Sequence, residues 1–110
     1  MRKDTKARAI PMAVKRVVAE RDSFDGHPCC IYCGTPAPPY NRLAFSCCHV
    51  LRRSRGGLGI ETNIVTLCPR HHAEFDGGDK GIEAFTHAHM KEKYGESWSI
   101  DDQRYRKGSR

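Results

Sequence analysis

Two short pairs of metal-binding residues, Cys30-x-x-Cys33 and Cys68-x-x-His71, frame the middle of this chain and constrain it more than any other feature. In each pair two intervening residues let the backbone fold back and turn both donor atoms toward one point, which is the spacing of a metal knuckle. Together the pairs make a Cys3His set, and zinc is the ion that such a tetrahedral mixture of thiolate and imidazole suits. A site closed by four protein ligands is structural, so it would tie residues 30–33 to residues 68–71 whatever lies between. Gly34 suits the tight turn that follows the first knuckle. Cys29 could stand in for Cys30, at the expense of the two-residue gap. Cys47 and Cys48 remain outside the set. As neighbours on a strand they would face opposite sides, one thiol buried and the other near solvent, which suits Cys47; Cys48 sits directly beside His49, where a thiolate could instead touch a metal.

A staple is what a chain of this composition needs. With 110 residues, 38% of them hydrophobic and 29% charged, it has room for one domain with a modest core. Small domains with thin cores commonly rely on disulfides or a structural metal. The opening stretch MRKDTKARAI is basic and polar, without the apolar segment of a secretory signal, and no apolar run approaches the roughly 18 residues of a membrane span. The expectation is therefore an intracellular, cytoplasmic protein with no membrane partner, in a compartment where cysteines serve as metal ligands or buried thiols. The net charge of +6 and the basic stretch at Arg52, Arg53 and Arg55 point to a polyanionic partner, nucleic acid above all.

Along the chain, residues 1–10 read as a basic flexible arm and residues 11–110 as a single domain. The first helix is expected over 11–21, opened by Pro11 and carrying Val14, Val17 and Val18 at helical spacing. Residues 23–39 are turn-dominated. The run LAFSCCHVL suggests a strand over 43–51, and a shorter one is expected over 64–67, with a glycine-containing loop between them. A short helix follows from Pro69 to about Phe75, stopped by Gly77 and Gly78. A last helix over 82–94 places Ile82, Phe85, His89 and Tyr94 on one stripe, and Trp98 and Tyr105 are expected to cover the core. The fold class is α+β, with strand, loop, strand and helix at its centre.

The stretch CHVLRRSRGGLGIETNIVTLCPRHHAEFD, residues 48–76, resembles the HNH endonucleases, whose ββα-metal (His-Me finger) core carries a His at the end of the first strand, an Asn in the loop and a His in the helix. Those positions match His49, Asn63 and His72. The flanks IPMAVKRVVAERD and SWSIDDQRYRK are similar to small phage and prophage members, so the resemblance covers nearly the whole chain. It implies a nuclease with His49 as general base, a catalytic divalent metal (Mg2+, Mn2+, Ni2+ or Zn2+) near His72, and DNA as substrate. It also implies a bacterial or phage-infected host cell and a role in phage genome processing, beside a terminase large subunit and a portal. Many members place an Asp, Glu or His immediately before the general base. Here that position is Cys48, which implies an ion held by fewer protein ligands and more waters, or a bias toward softer ions.

The residue types suit that chemistry. Phosphodiester hydrolysis needs a water deprotonated near neutral pH, the task to which an imidazole is best matched. A divalent cation stabilises the charge that gathers on the phosphate and on the leaving 3′-oxygen. His72 and Asp76, four apart, would share a helix face and could offer a nitrogen and a carboxylate to one ion. For Asp76, capping or plain surface exposure explains the residue equally well. Asn63 would pin the loop or orient His49, and Arg52, Arg53 and Arg55 would grip phosphates. Few elements remain for reading bases, so sequence specificity is expected to be low. The alternative is a non-catalytic zinc-stapled module that binds nucleic acid or a protein.

Overall fold

The computed structural model describes residues 3–106, so residues 1 and 2 of the expected arm and residues 107–110 of the expected domain lie outside the described part. The chain is an α+β domain whose helices pack around two small antiparallel sheets. Helix α1 (Lys3–Arg8) occupies most of the stretch read as a flexible arm. Helix α2 (Met12–Arg21) follows, entered through Pro11, whose extended backbone satisfies the constraint that proline places on a helix start. It buries Val18 and Ala19 but leaves Val17 exposed, so its apolar stripe is narrower than the three valines suggested.

Strands β1 (Ser23–Phe24) and β2 (His27–Pro28) form a hairpin closed by Asp25 and Gly26, both with positive φ, the combination that a two-residue turn between right-twisted strands requires. Strands β3 (Cys48–His49) and β4 (Ile64–Val65) pair with Cys48 opposite Val65 and His49 opposite Ile64. Helix α3 (Pro69–Asp76) begins soon after β4, with Pro69 in its first turn. The strand expected over 43–51 therefore shrinks to residues 48–49. Upstream of it, Ala44 N donates to Asn41 O and Ser46 N to Leu43 O, so this stretch travels in tight turns and brings Ala44 and Phe45 to the core without extending.

Helix α4 (Lys80–Tyr94) is capped by the Asp79 carboxylate, which accepts from Ile82 N at 2.9 Å, and is stopped at Gly95 with φ +100. Its buried stripe is Ile82, Thr86 and Met90; Phe85 lies 39% exposed on the outer side, a correction to the stripe read from the sequence. Ile82 and Met90 join Val50, Val65, Leu67, Phe75 and Trp98 in one core, where each large side chain contributes about 1.5–3 kcal/mol. Trp98 does cover that core, donating its Nε1 proton to Thr62 O at 2.8 Å, whereas Tyr105 stays outside it and is tied through its backbone to Gly56. Among the described residues no helix is long and apolar enough to cross a membrane.

A polar knot locks the helices to the central strand. Asp22, fully buried at its side chain, accepts two hydrogen bonds from Arg21, one from His89 of α4 and one from the backbone N–H of Thr66. Arg21 in turn donates to Ile64 O and to the Tyr94 hydroxyl. Burial opposes the charge on Asp22, but His89 and Arg21 outweigh it and hold the carboxyl below the usual carboxylate range. Asp22→Ala would leave a buried guanidinium and a buried backbone N–H without that acceptor. A loss of about 3–5 kcal/mol is expected, read as a lower urea midpoint at neutral pH.

Candidate metal knuckle and basic cleft

The first knuckle is a tight hairpin. Cys30 N donates to Thr35 O, Gly34 N donates to Cys30 O, and Gly34 takes a φ of +81 that a side chain would oppose. Ile31 N donates to Thr66 O at 2.9 Å, which lays this hairpin against the chain just before Cys68. The ligand atoms of Cys30, Cys33, Cys68 and His71 consequently lie within 4.8 Å of one another. Cys33 Sγ is 3.8 Å from Cys68 Sγ, His71 Nδ1 is 3.3 Å from Cys68 Sγ and 3.9 Å from Cys30 Sγ. A tetrahedron with metal–sulfur bonds of about 2.3 Å has edges of about 3.8 Å, so these four residues could hold a metal ion and suit one of zinc's size. Cys29 is not part of the cluster, because its thiol donates to His27 O. Burial raises the Cys33 thiol, but hydrogen bonds with Thr35 and with the neighbouring Cys30 and Cys68 thiols together outweigh it and bring it down to about 6. Burial and nearby sulfur push the Cys68 thiol up.

On another face, His49, His72, Asp76, Arg52, Arg53 and Ser54 line one cleft of about 300 Å3. Strand pairing puts His49 at the end of β3, and the 72/76 spacing on α3 puts His72 Nε2 3.4 Å from Asp76 Oδ2. His49 Nε2 lies 2.8 Å from the backbone carbonyl of Arg8. A carbonyl can only accept, so Nε2 carries the proton and, in the neutral ring, the free lone pair is on Nδ1. Burial lowers the pKa of His49; the Arg8 carbonyl works against this, Arg53 and His72 add to it, and the net direction is downward. The neutral base is therefore the resting form near pH 7.

No family model, curated protein or solved structure matches the chain.

The Asn63 side chain makes no hydrogen bond to His49. Fully buried, it accepts from Leu51 N at 2.8 Å and donates to Leu51 O and Leu58 O, closing the loop that carries the arginines. Of the two roles expected for it, pinning the loop is the one its contacts serve. An Asn63→Ala substitution removes all of these bonds and strands the loop's backbone groups, so a loss of about 2–4 kcal/mol is expected in thermal or urea unfolding.

Cys48 corrects an expectation. Strand alternation sends its side chain opposite to His49, into the core, where it is wholly buried, and burial holds its thiol far above the ordinary range. It cannot serve as a ligand in the cleft. Of the donors expected for a second ion, His72 and Asp76 remain in the cleft; among the described residues, the Cys3His set is the cluster that offers three or more. Arg55 also parts from its neighbours. It lines a second, adjoining groove, whereas Arg52 borders both, as expected when residues three apart align in a 3-10 turn. Three contributors were missed from sequence. The Arg8 carbonyl has no side-chain signature, since every residue carries one. Lys80 and His87 carry no local signal and become groove walls only once α4 lies beside the β3 exit.

Proposed function

We propose that the chain is a metal-dependent endonuclease of the HNH type, hydrolysing phosphodiester bonds in DNA with low sequence preference. The observation that carries this reading is the single cleft that gathers His49, with Nδ1 as its free nitrogen, the His72–Asp76 pair and the guanidinium-bearing turn. His49 and His72, which the HNH resemblance names separately, line the same cleft, although the ββα-metal assignment itself rests on that resemblance.

In this reading His49 Nδ1 takes a proton from water, and the water oxygen attacks phosphorus as the bond to the 3′-oxygen breaks. Arg52 and Arg53 hold the phosphate oxygens. His72 and Asp76 fit a divalent cation that keeps several waters, and such an ion supplies charge stabilisation on the phosphate and leaving oxygen. Asn63 keeps the loop closed, and the Cys3His set holds zinc as a structural staple. A place in phage genome processing, with a terminase large subunit and a portal nearby, belongs to the same proposal on the strength of the resemblance alone.

The test is digestion of supercoiled plasmid with Mg2+, Mn2+, Ni2+ or Zn2+ added singly, across pH. Nicked circles should form with at least one ion. Because the folded His49 holds its proton less tightly than a free imidazole, the rate should fall with acid only below about pH 6.5. A folded protein that retards DNA in a gel yet leaves the plasmid intact with every ion would make it a binding module instead.

A further inference from the structure

A larger groove of about 510 Å3 adjoins the cleft, and the cleft chemistry does not use it. Its lining combines apolar Val50, Leu51 and Ile100 with Arg55, Lys80, the shared Arg52 and His87 of α4. The volume falls within the range of small-ligand sites, about 300–1,000 Å3. His87 is held by a T-shaped contact with Trp98 at 5.4 Å between ring centroids. Glu83 is the groove's carboxylate, 3.9 Å from Lys80.

We infer that this groove seats one unpaired nucleotide of the strand whose neighbouring phosphate lies in the cleft. The inference rests on the nuclease reading for the position of that phosphate. Two kinds of surface meet in the groove. A duplex phosphate would engage the cations and leave the apolar lining residues and the imidazole uncovered, whereas a base turned out of its stack covers both. Arg52 sits where the two cavities join, so a phosphate bound there places the next nucleotide toward His87. Arg55 and Lys80 then meet the following phosphate, and the Glu83 carboxylate can accept from an exocyclic amino group of the base. The substrate class that follows is DNA with an unpaired nucleotide beside the cut, such as a single strand, a flap or a bulge.

Binding can be separated from cleavage in the full chain carrying His49→Ala, using a fluorescein-labelled single-stranded dodecamer and the same sequence as a duplex, read by anisotropy at fixed salt. Adding His87→Ala should weaken the single strand by about 5- to 150-fold, the range for loss of one base–aromatic stack, and change the duplex by less than twofold. His87→Phe should restore most of that loss, which a general disturbance of the fold would not allow. Lys80→Ala should reduce the salt dependence by about one phosphate contact. Single-strand affinity indifferent to His87→Ala, or an equal loss for single strand and duplex, overturns the inference. If that happens while the unsubstituted protein still nicks plasmid, the nuclease reading stands without it. If His87 governs single-strand binding in a protein that cleaves nothing, the groove stands and the nuclease reading falls.

Discussion

His49→Ala should reduce plasmid nicking by a factor of about 10^2 to 10^4, the usual worth of a positioned general base, while the protein stays folded. The imidazole is half-buried at the end of a two-residue strand and makes one hydrogen bond, to the Arg8 carbonyl. Truncating it removes that bond, worth about 1 kcal/mol, and a thermal midpoint only a few degrees lower is expected. Far-UV circular dichroism beside the nicking assay checks both halves. Activity that survives within threefold would dismiss His49 as the base. A collapse of the dichroism would make the residue part of the scaffold.

The opposite pattern is expected at the knuckles. Cys68→Ser should leave a chain that does not fold cooperatively and does not retain zinc through dialysis. Structural zinc sites contribute about 10–16 kcal/mol of apparent binding free energy, as much as the whole stability of an ordinary domain. Cys68 is also the buried residue from which α3 starts: His72 N donates to its carbonyl, and its thiol faces Cys33 and His71. Losing the metal there frees the helix that presents His72 and Asp76 as well as the hairpin of the first knuckle. Metal analysis and a thermal scan on the same preparation decide the matter. A Cys68→Ser protein that melts like the unsubstituted chain would mean that the cluster is four free side chains near one another and no staple.

What could be read from the sequence follows how local the physics is. The knuckles and α3 depend on spacings of a few residues and on one proline, and those signals carry through to the fold. The run LAFSCCHVL was misleading because a short apolar stretch is equally at home in a strand and in buried turns. Only its pairing with Ile64–Val65 selects residues 48–49. Cys48 was misjudged for the converse reason: adjacency to His49 suggested a shared site, whereas alternation on a strand makes adjacent residues the least able to share one. The Arg8 carbonyl and the groove at His87 depend on elements far apart in the chain, which no spacing encodes.

The contact between α1 and the loop has one more consequence. Ala7 O accepts from Gly59 N, and a Cβ at position 59 would lie 1.9 Å from Ala9 O, so the backbone that delivers the Arg8 carbonyl to His49 fits only against a residue with no side chain there. In the history of such a sequence the two places are bound to each other. A lineage that kept the segment would be held to glycine at 59, and one that discarded it would be free to change 59 but would need another acceptor for His49 Nε2.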